Sequence, residues 1–373
     1  MVQQARYKIR LYRPGDGLLV AEFDNWRTLN VTNTVNSVGH HTISLEGVTG
    51  ARPDPRFDLF TLDSIVEVWR KPYGKAWYME YGGFHRTPQT ELTEGQHYIF
   101  TSYGVSYMDL IKRRRLLYPT TLAQSIKGDL GETVIKEFVN ENAGPGANNP
   151  LRKNNGVTLG LTLEADLARG ATWFGQRSWQ PLLDIINEVG LATGVDFNVV
   201  RTGPGTFEFR CYYPQMGTDR RLTAIFSPLH ANMLSPSYTV SRTEESTVCV
   251  VLGQEEGTAR RTVTRRSTSE SDSPWNMIEM TRDARNESTY LGMVEDGDEA
   301  LEETAANPEF KFAVLQTEAL RYGVDYFLGD MITAKLYNIT EPKKIVEASI
   351  SVGEGKENID IGFAEIPSFY NPK

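Results

Sequence analysis

The sequence predicts an α+β fold that is mainly β, with strands at both ends of the chain and a mixed α+β module between them. Two observations support this prediction. At both ends, short runs of alternating apolar and polar residues follow one another with turn residues between them, which is typical of half-buried strands. In the middle, apolar residues recur three or four positions apart, which is typical of helices.

The first hundred residues have the pattern of antiparallel β structure. Tyr7, Ile9 and Leu11 alternate with polar neighbours, and a Pro-Gly-Asp-Gly turn at 14–17 follows them. Further strands are predicted at 18–23, 40–45, 64–70, 76–81 and 98–103. Short strands at this spacing indicate an antiparallel sandwich or barrel.

Helices are predicted at 105–117, 129–142 and 179–189, followed much later by an acidic helix at 295–306. Their apolar residues lie three or four positions apart, the spacing that places side chains on one helical face. Pro119 is predicted to end the first helix, because proline lacks the backbone N–H that a helix requires.

Strands return in the second half of the chain. They are predicted at 196–200, 206–212, 238–242, 247–252, 310–315, 330–337, 344–352 and 358–363. Residues 257–272 interrupt this series with Arg260, Arg261, Arg265 and Arg266 among serines and threonines. We expect an exposed hairpin tip or a loop ordered on binding, and the four arginines are a candidate subunit contact.

This order of elements predicts three domains, which fits the two or three that the length suggests. The first is a β domain at 1–104, and the second is a mixed α+β module at 105–235. The third is a second β domain at 236–373 with a helical insertion near 283–308.

Composition restricts the function classes. The 373 residues carry 39 Lys and Arg against 48 Asp and Glu, a formal net charge of −9. General nucleic-acid binding depends on Lys and Arg, so this balance argues against it, although DNA could still pass such a surface without adhering. No apolar stretch approaches the length of a membrane span, and the N-terminus lacks a secretory h-region, so we expect synthesis in the cytoplasm.

The motifs of common enzymes are absent from the sequence. It contains no HExxH, CxxC, P-loop, GxGxxG after a strand, or GxSxG string. Asp283, Asp325, Asp330 and Glu354 could in principle act as paired carboxylates, but Asp325 and Asp330 lie at turn-like positions, where Asp is favoured because it bonds its own backbone. We therefore predict no catalytic, metal-binding or cofactor-binding residues. Cys211 and Cys249 are expected to be buried thiols.

Several strings are more informative together than singly. They are the Tyr-Gly-Val at 103–105, the Arg-Leu-Leu-Tyr-Pro at 115–119, the Ser-Trp-Gln-Pro-Leu-Leu at 178–183, the Arg-Asp-Ala-Arg at 282–285 and the Tyr-Gly-Val-Asp-Tyr-Phe-Leu-Gly-Asp at 322–330. Together they resemble the siphophage tail-tip (baseplate) hub family, which is similar to the central hub proteins of contractile-tailed phages. The string at 322–330 is the most specific. Asn286 departs from the pattern, since a second Asp is expected there.

The resemblance assigns structural roles to the residues of these motifs. They are Tyr118, Pro119, Asp283, Arg285, Tyr322, Gly323, Asp325, Tyr326, Gly329 and Asp330. It also implies that the two β domains are tail-tube-like and that three chains form a pseudo-sixfold ring.

The resemblance further implies a location at the virion tail tip. The expected partners are two further copies of the chain in a homotrimer, the distal tail protein ring, the tape-measure protein and a tip or fibre protein. DNA would pass through the lumen without specific binding, past acidic residues. We expect no room for a lytic domain after Lys373.

Two other functions stay open at this point. A cell-wall-degrading tail enzyme would require a cleft with two carboxylates about 5–10 Å apart. A carbohydrate-binding receptor module would require an exposed aromatic groove. A trimer with a central channel would favour the hub over both.

Overall fold

The computed structural model describes residues 4–47, 54–94, 97–118, 122–147, 152, 161–287, 289–353 and 355–364. The chain forms two compact units. The first unit comprises Met1–Leu234 and Ala313–Lys373, and the second unit comprises Ser235–Phe312. Strands hold 46% of the residues and helices 18%, so the mainly β prediction is confirmed.

One large sheet organises the first unit. Its strands are β1 (Arg6–Tyr12), β2 (Leu19–Phe23), β3 (Thr28–Thr34), β4 (His40–Glu46), β5 (Ile65–Lys71), β6 (Tyr78–Leu92), β7 (Tyr98–Ser106), β13 (Ile225–Phe226), β19 (Met331–Leu336), β20 (Ile339–Gly353) and β21 (Lys356–Ala364). They run in the order β13-β19-β20-β3-β4-β7-β6-β5-β1-β2, with β21 paired to β20 beside that path. All pairs are antiparallel except β13 with β19.

Alternation explains why these residues form strands with one buried face. On β3, Leu29 and Val31 are buried while Asn30 between them is exposed. On β4, Ile43 and Leu45 are likewise buried between polar residues. Because successive side chains point to opposite faces, one face of the sheet lies on the core and the other stays polar.

A helical module follows in the same unit. It contains α1 (Asp109–Lys112), β8 (Ser125–Leu130), α2 (Gly131–Asn142), β9 (Leu161–Leu163), β10 (Thr172–Arg177), α3 (Leu182–Thr193), β11 (Asp196–Gly203) and β12 (Thr206–Tyr212). Its core includes Phe138, Ile186, Phe197 and Phe209, all fully buried. Burying a side chain of this size contributes about 1.5–3 kcal/mol, so this core stabilises the module substantially.

The second unit has its own small core. Strands β15 (Val248–Leu252), β16 (Thr262–Arg266) and β17 (Glu279–Asp283) form a sheet with α4 (Tyr290–Glu303). Cys249, Val251, Met293 and Ala300 are buried together there. Strands β14 (Met233–Ser241) and β18 (Asn307–Val314) pair with each other where the chain leaves and re-enters the first unit. No helix in the described ranges is long and apolar enough to cross a bilayer.

Two local predictions were wrong. The helix predicted at 105–117 is limited to the single turn α1, because Val105 still pairs with His40 and Phe84 in the sheet. Residues 257–272, predicted to be an exposed hairpin tip or a loop ordered on binding, lie partly in a hairpin. Within them, 262–266 form the strand β16 instead of a tip or loop, and β16 pairs with β15 along its whole length. Sheet pairing decided both cases: residue 105 pairs with strands distant in the sequence, whereas β16 pairs with β15, the strand before it in the chain.

The sheet joins both ends of the chain. Strand β3 pairs with β20, so that Val31 lies opposite Ile350. Strand β3 itself was missed in the sequence. The compact units have bounds that differ from the domains predicted at 1–104, 105–235 and 236–373. The division into two tube-like β domains around a mixed module stays a prediction.

Candidate functional site

The most specific motif, residues 322–330, forms a compact series of turns before β19. Gly323 N donates a hydrogen bond to Tyr326 O at 2.9 Å, and Arg321 N donates to the Asp325 carboxylate at 2.8 Å. Gly323 and Gly329 have positive φ angles of 75° and 86°. Only glycine adopts this left-handed region without cost, so the motif's glycines are required by the backbone.

Arg70 on β5 binds this motif from the other end of the sheet. Its side chain is 4% exposed, and its Nη1 donates to the carbonyl oxygen of Tyr322 at 2.9 Å. Its Nη2 donates to the Glu357 carboxylate on β21, also at 2.9 Å. The guanidinium therefore joins three segments that are far apart in the sequence.

Glu80 on β6 lies beside this arginine and accepts three side-chain hydrogen bonds. Tyr78 Oη donates to it at 2.6 Å, Tyr322 Oη at 3.0 Å and Asn33 Nδ2 at 3.3 Å. Burial raises the pKa of Glu80 above its usual value, while Arg70 and these donors act in the opposite direction. We call Arg70, Tyr78, Glu80, Tyr322 and Glu357 the buried junction.

Two cavities adjoin the buried junction. One, of about 160 Å³, is lined by Arg70, Tyr322 and Glu357 among others. The second, of about 280 Å³, is lined by Tyr78, Glu80 and Tyr322 among others. Because the carboxylate of Glu80 is already occupied by donors from the same chain, the geometry is that of a structural network.

Asp330, the last residue of the motif, is also a buried anchor. Its carboxylate accepts from Thr218 N at 2.6 Å, from Phe327 N at 2.9 Å and from Arg220 Nε at 2.7 Å. Its side chain is 2% exposed, whereas that of Asp325 is 35% exposed. Buried carboxylates require such donors, so Asp330 fixes the entry to β19.

The other motif residues lie elsewhere. The ring of Tyr118 packs against Trp179 with the ring centroids 5.2 Å apart, and Pro119 lies outside the described residues. Tyr326 is fully buried and packs edge-to-face on Phe226. The structure thus brings the residues of 322–330 together with each other, and it places Tyr118 in a separate contact.

In the second unit the arginine stretch 260–266 pairs with carboxylates of the same unit. Arg265 donates to Asp298 at 2.6 Å, and Arg266 pairs with Glu270. Arg260 contacts Asp283 at 3.3 Å, and the same carboxylate contacts Arg285 at 3.2 Å. The expected basic patch is therefore largely neutralised.

Arg261, also within this stretch, has an exposed side chain. The two cysteines are free and buried, as predicted: Cys211 lies in the first unit and Cys249 in the second. The described residues contain no group of three metal-ligating side chains close enough to bind one ion.

Sequence reasoning missed the partners of the 322–330 motif. Arg70 and Glu80 were included within predicted strands, and neither was noted as a site residue. A partial signal was available, since Arg70 follows Trp69 and Glu80 precedes Tyr81 in predicted strands, so both charges lie next to large aromatic residues. A buried charge in such a strand requires a partner, although the sequence does not say which one.

Comparison with known protein families shows which family the chain belongs to. Residues 8–363 match the family of Siphovirus ReqiPepy6 Gp37-like proteins. The chain belongs to this family. The resemblance to a siphophage tail protein family is therefore confirmed, and the chain is a structural phage tail protein. None of the curated proteins matches the sequence.

Solved structures share the fold at low sequence identity. The 43 kDa tail protein of prophage MuSo2 from Shewanella oneidensis has a TM-score of 0.61 at 9% identity, over 97% of this chain and 98% of its own. The tail protein from Neisseria meningitidis MC58 has a TM-score of 0.54 at 12% identity, over 97% and 96%. The Francisella PdpA–VgrG complex contains a chain with a TM-score of 0.55 at 10% identity, over 98% and 54%.

Proposed function

We propose that this tail protein is the hub of the tail tip. Three copies would form a ring that joins the tail tube and the distal tail ring to the tip and lets DNA pass. The observation that carries the proposal is the tail-protein fold across 97% of a chain from a siphovirus family. The proposed role is structural, and the saturated carboxylates of Glu80 and Asp330 support a protein without catalytic activity.

Unprotected strand edges support assembly into a ring. Among the described strands, β2 pairs only with β1, and β21 pairs only with β20. Leu19 and Val20 on β2 are 53% and 44% exposed, with no capping lysine or proline in the strand. An open apolar edge is a template for pairing with another chain.

The edge strand β13 provides a contrast. Its Ile225 carbonyl accepts a hydrogen bond from Asn232 Nδ2 at 2.9 Å, so a side chain of the same chain occupies the position that a partner strand would need. One edge is thus capped and two are open. We infer that copies of the chain meet at the open edges.

The remaining partners follow from the same role. The distal tail protein ring, the tape-measure protein and a tip or fibre protein would contact faces of the ring, and Arg261 and Arg266 are the exposed arginines of the candidate contact loop. The structural neighbour from Francisella is part of a PdpA–VgrG complex, which supports a fold suited to assembly.

Electron microscopy of intact virions with a labelled chain tests the hub directly. We expect label at the tail tip, and a trimer by mass photometry of the purified protein. The variant Val20→Lys should reduce the trimer fraction about tenfold or more, because a buried lysine opposes edge pairing. The control Leu229→Lys changes a residue that is 96% exposed beside the capped edge and should leave the trimer intact.

A monomeric chain that clears peptidoglycan would contradict the hub and favour the cell-wall-degrading enzyme instead. A monomer that binds cell-surface carbohydrate would favour the receptor module. Label found along the whole tail tube would also contradict a tip position.

A further inference from the structure

The cavity of about 280 Å³ beside the buried junction lies where several parts of the first unit meet. Its lining comes from the end of β3, the start of β6, the end of β7, strand β11 and the 322–330 motif. It is open to the surface beside Met79, a lining residue that is 37% exposed. We call it the β3–β6 cavity.

Two residues that line the β3–β6 cavity carry a buried hydroxyl group with no hydrogen-bond partner in the described chain. They are Thr34 at the end of β3 and Tyr107 directly after β7. Tyr107 is 3% exposed, and its ring packs edge-to-face on Phe84 with the centroids 5.4 Å apart, so packing fixes its position. Buried hydroxyls are nearly always hydrogen-bonded, because an unpaired one has lost its bonds to water. The pair therefore indicates a cavity suited to a hydrogen-bonding molecule.

The charge of the lining restricts which molecule this is. Among the described residues that line the cavity, Glu80 is the one charged side chain. Its carboxylate already accepts hydrogen bonds from Tyr78, Tyr322 and Asn33, and nearby Arg70 offsets its charge. An anion such as phosphate would require cationic donors on the wall, and a cation would meet a carboxylate that is already engaged. The lining therefore fits a neutral ligand.

The rest of the wall combines polar groups with aromatic and aliphatic surface. Ser106 supplies a hydroxyl and Asn198 an amide. The rings of Tyr78 and Phe327 lie edge to face with centroids 6.5 Å apart, and Val200 adds an aliphatic side chain. A carbon framework rich in hydroxyl groups matches both kinds of wall, because its hydroxyls donate and accept while its C–H groups contact the rings.

We propose that the β3–β6 cavity binds a neutral polyhydroxylated molecule of about monosaccharide size. Its volume lies just below the about 300–1,000 Å³ of cavities that enclose drug-sized ligands, which favours a smaller molecule. The hydroxyls of Thr34 and Tyr107 bond to hydroxyls of the ligand, while Glu80 keeps its partners within the chain. The proposal goes beyond the proposed function and does not depend on it, since the described lining residues belong to one unit of a single chain.

Ligand-observed NMR and calorimetry on the purified full chain test the proposal. The neutral probes are glycerol, glucose, galactose and N-acetylglucosamine, and the charged counterparts of the two hexoses are glucuronate and galacturonate. We expect a neutral monosaccharide to bind with a dissociation constant of about 1 mM, and the uronates to bind at least about tenfold more weakly. Absence of binding by all four neutral probes would overturn the proposal, as would equal binding of the uronates.

Removal of the two hydroxyls shows whether the bound sugar occupies this cavity. Tyr107→Phe and Thr34→Val nearly preserve side-chain size, and each should weaken binding of the best probe by about tenfold. Neither should lower the unfolding midpoint of the ligand-free chain, because neither hydroxyl has a partner in the described chain to lose. The matched control is Tyr103→Phe, whose hydroxyl donates to Gln89 on the surface, and it should leave the affinity unchanged.

Two results with these variants would contradict the proposal. One is normal affinity in both Tyr107→Phe and Thr34→Val, with or without a lower unfolding midpoint, since the hydroxyls would then have a purely structural role. The other is an equal loss of affinity in Tyr103→Phe, which would place the bound sugar elsewhere.

A free sugar and the terminal residue of a surface glycan share this chemistry, and a disaccharide that ends in the best-binding sugar distinguishes them. Equal affinity for the disaccharide would identify a glycan end, whose remaining residues leave through the opening beside Met79. A loss of about tenfold or more would identify the free sugar. The hub is tested separately by the position of the labelled chain in the virion, so the two proposals fail independently.

Discussion

The buried junction and the arginine stretch 260–266 use the same chemistry in two different environments. Arg70 has a side chain 4% exposed and pairs with Glu357 at 2.9 Å. Arg265 has a side chain 37% exposed and pairs with Asp298 at 2.6 Å. The distance is shorter in the surface pair, but its groups are solvated by water and screened by salt, and both effects weaken their interaction. Burial, rather than distance, decides which arginine the fold depends on.

The largest expected effect comes from removing the arginine of the buried junction. Arg70→Ala leaves Glu357 without its cationic partner and Tyr322 O without its donor, which should cost about 3–5 kcal/mol in the free energy of unfolding. Urea unfolding followed by circular dichroism measures the loss. Arg265→Ala is the matched control, and we expect it to cost less than about 1 kcal/mol. Equal losses in the two variants would refute the ranking by burial.

Glycine substitution tests how tightly the 322–330 motif meets the sheet. Gly323 and Gly74 share a φ angle of 75°. A Cβ at Gly323 would lie 2.2 Å from Tyr78 Oη and 2.3 Å from Arg70 Nη1, whereas a Cβ at Gly74 meets nothing within 4 Å.

Gly323→Ala should therefore cost about 3 kcal/mol, from backbone strain and a forced shift of the buried junction. Gly74→Ala pays the backbone strain alone, and we expect about 1 kcal/mol. The difference between the two unfolding free energies isolates the contact. If the two variants were equally stable, the close approach at Gly323 would be disproved.

The two aspartates of the motif offer a finer test. Asp330→Asn replaces a carboxylate oxygen by an amide nitrogen, which cannot accept the hydrogen bonds that Asp330 accepts from its three donors. We expect a loss of about 2 kcal/mol in the free energy of unfolding. Asp325→Asn is the control, since that side chain is 35% exposed, and should cost less than about 1 kcal/mol. Thermal unfolding of both variants at one protein concentration would show the difference. A larger loss for Asp325→Asn would contradict the assignment of Asp330 as the anchor.

Two neighbouring histidines extend the contrast between buried and exposed groups to the pH dependence of stability. Sequence alternation predicts that His40 and His41 face opposite sides of β4, and the structure confirms it: His41 is 1% exposed and His40 lies on the open face. Burial, with smaller contributions from His85 and His40, lowers the pKa of His41 from 6.5 to about 3.

Between about pH 6.5 and pH 3, His41 therefore binds a proton in the unfolded chain but stays neutral in the folded chain. Stability contributed by the neutral imidazole is fully present above pH 6.5 and falls as the pH drops through this window, by up to about 1.4 kcal/mol per pH unit. His41→Gln should flatten the acid side of the stability curve. His40→Gln removes only one of the smaller contributions and should flatten the curve much less, and an equal flattening there would contradict the explanation.

Local pattern in the sequence was sufficient for much of the fold. The helices α2 and α3 and most strands of the large sheet lie near their predicted positions, because amphipathic periodicity depends on neighbouring residues. It failed at 105–117, where apolar spacing fits a helix but β4 and β6 hold residues 105 and 106 in the sheet. It also missed β3, whose flanking asparagines and threonines gave it a loop-like composition.

The candidate site, like the fold, could be predicted from the sequence only in part. The family likeness and the importance of the string at 322–330 could be predicted from the sequence by itself, as could the mainly β class and the burial of both cysteines. The residues that contact this string could not be predicted, because Arg70 and Tyr322 are 252 positions apart in the sequence. Only the tertiary structure, by pairing β3 with β20 and bringing β5 next to β21, decided where that string binds and which face of the sheet stays open. The physical reason is that strand periodicity is local, whereas strand order and the pairing of buried charges depend on contacts across the whole chain.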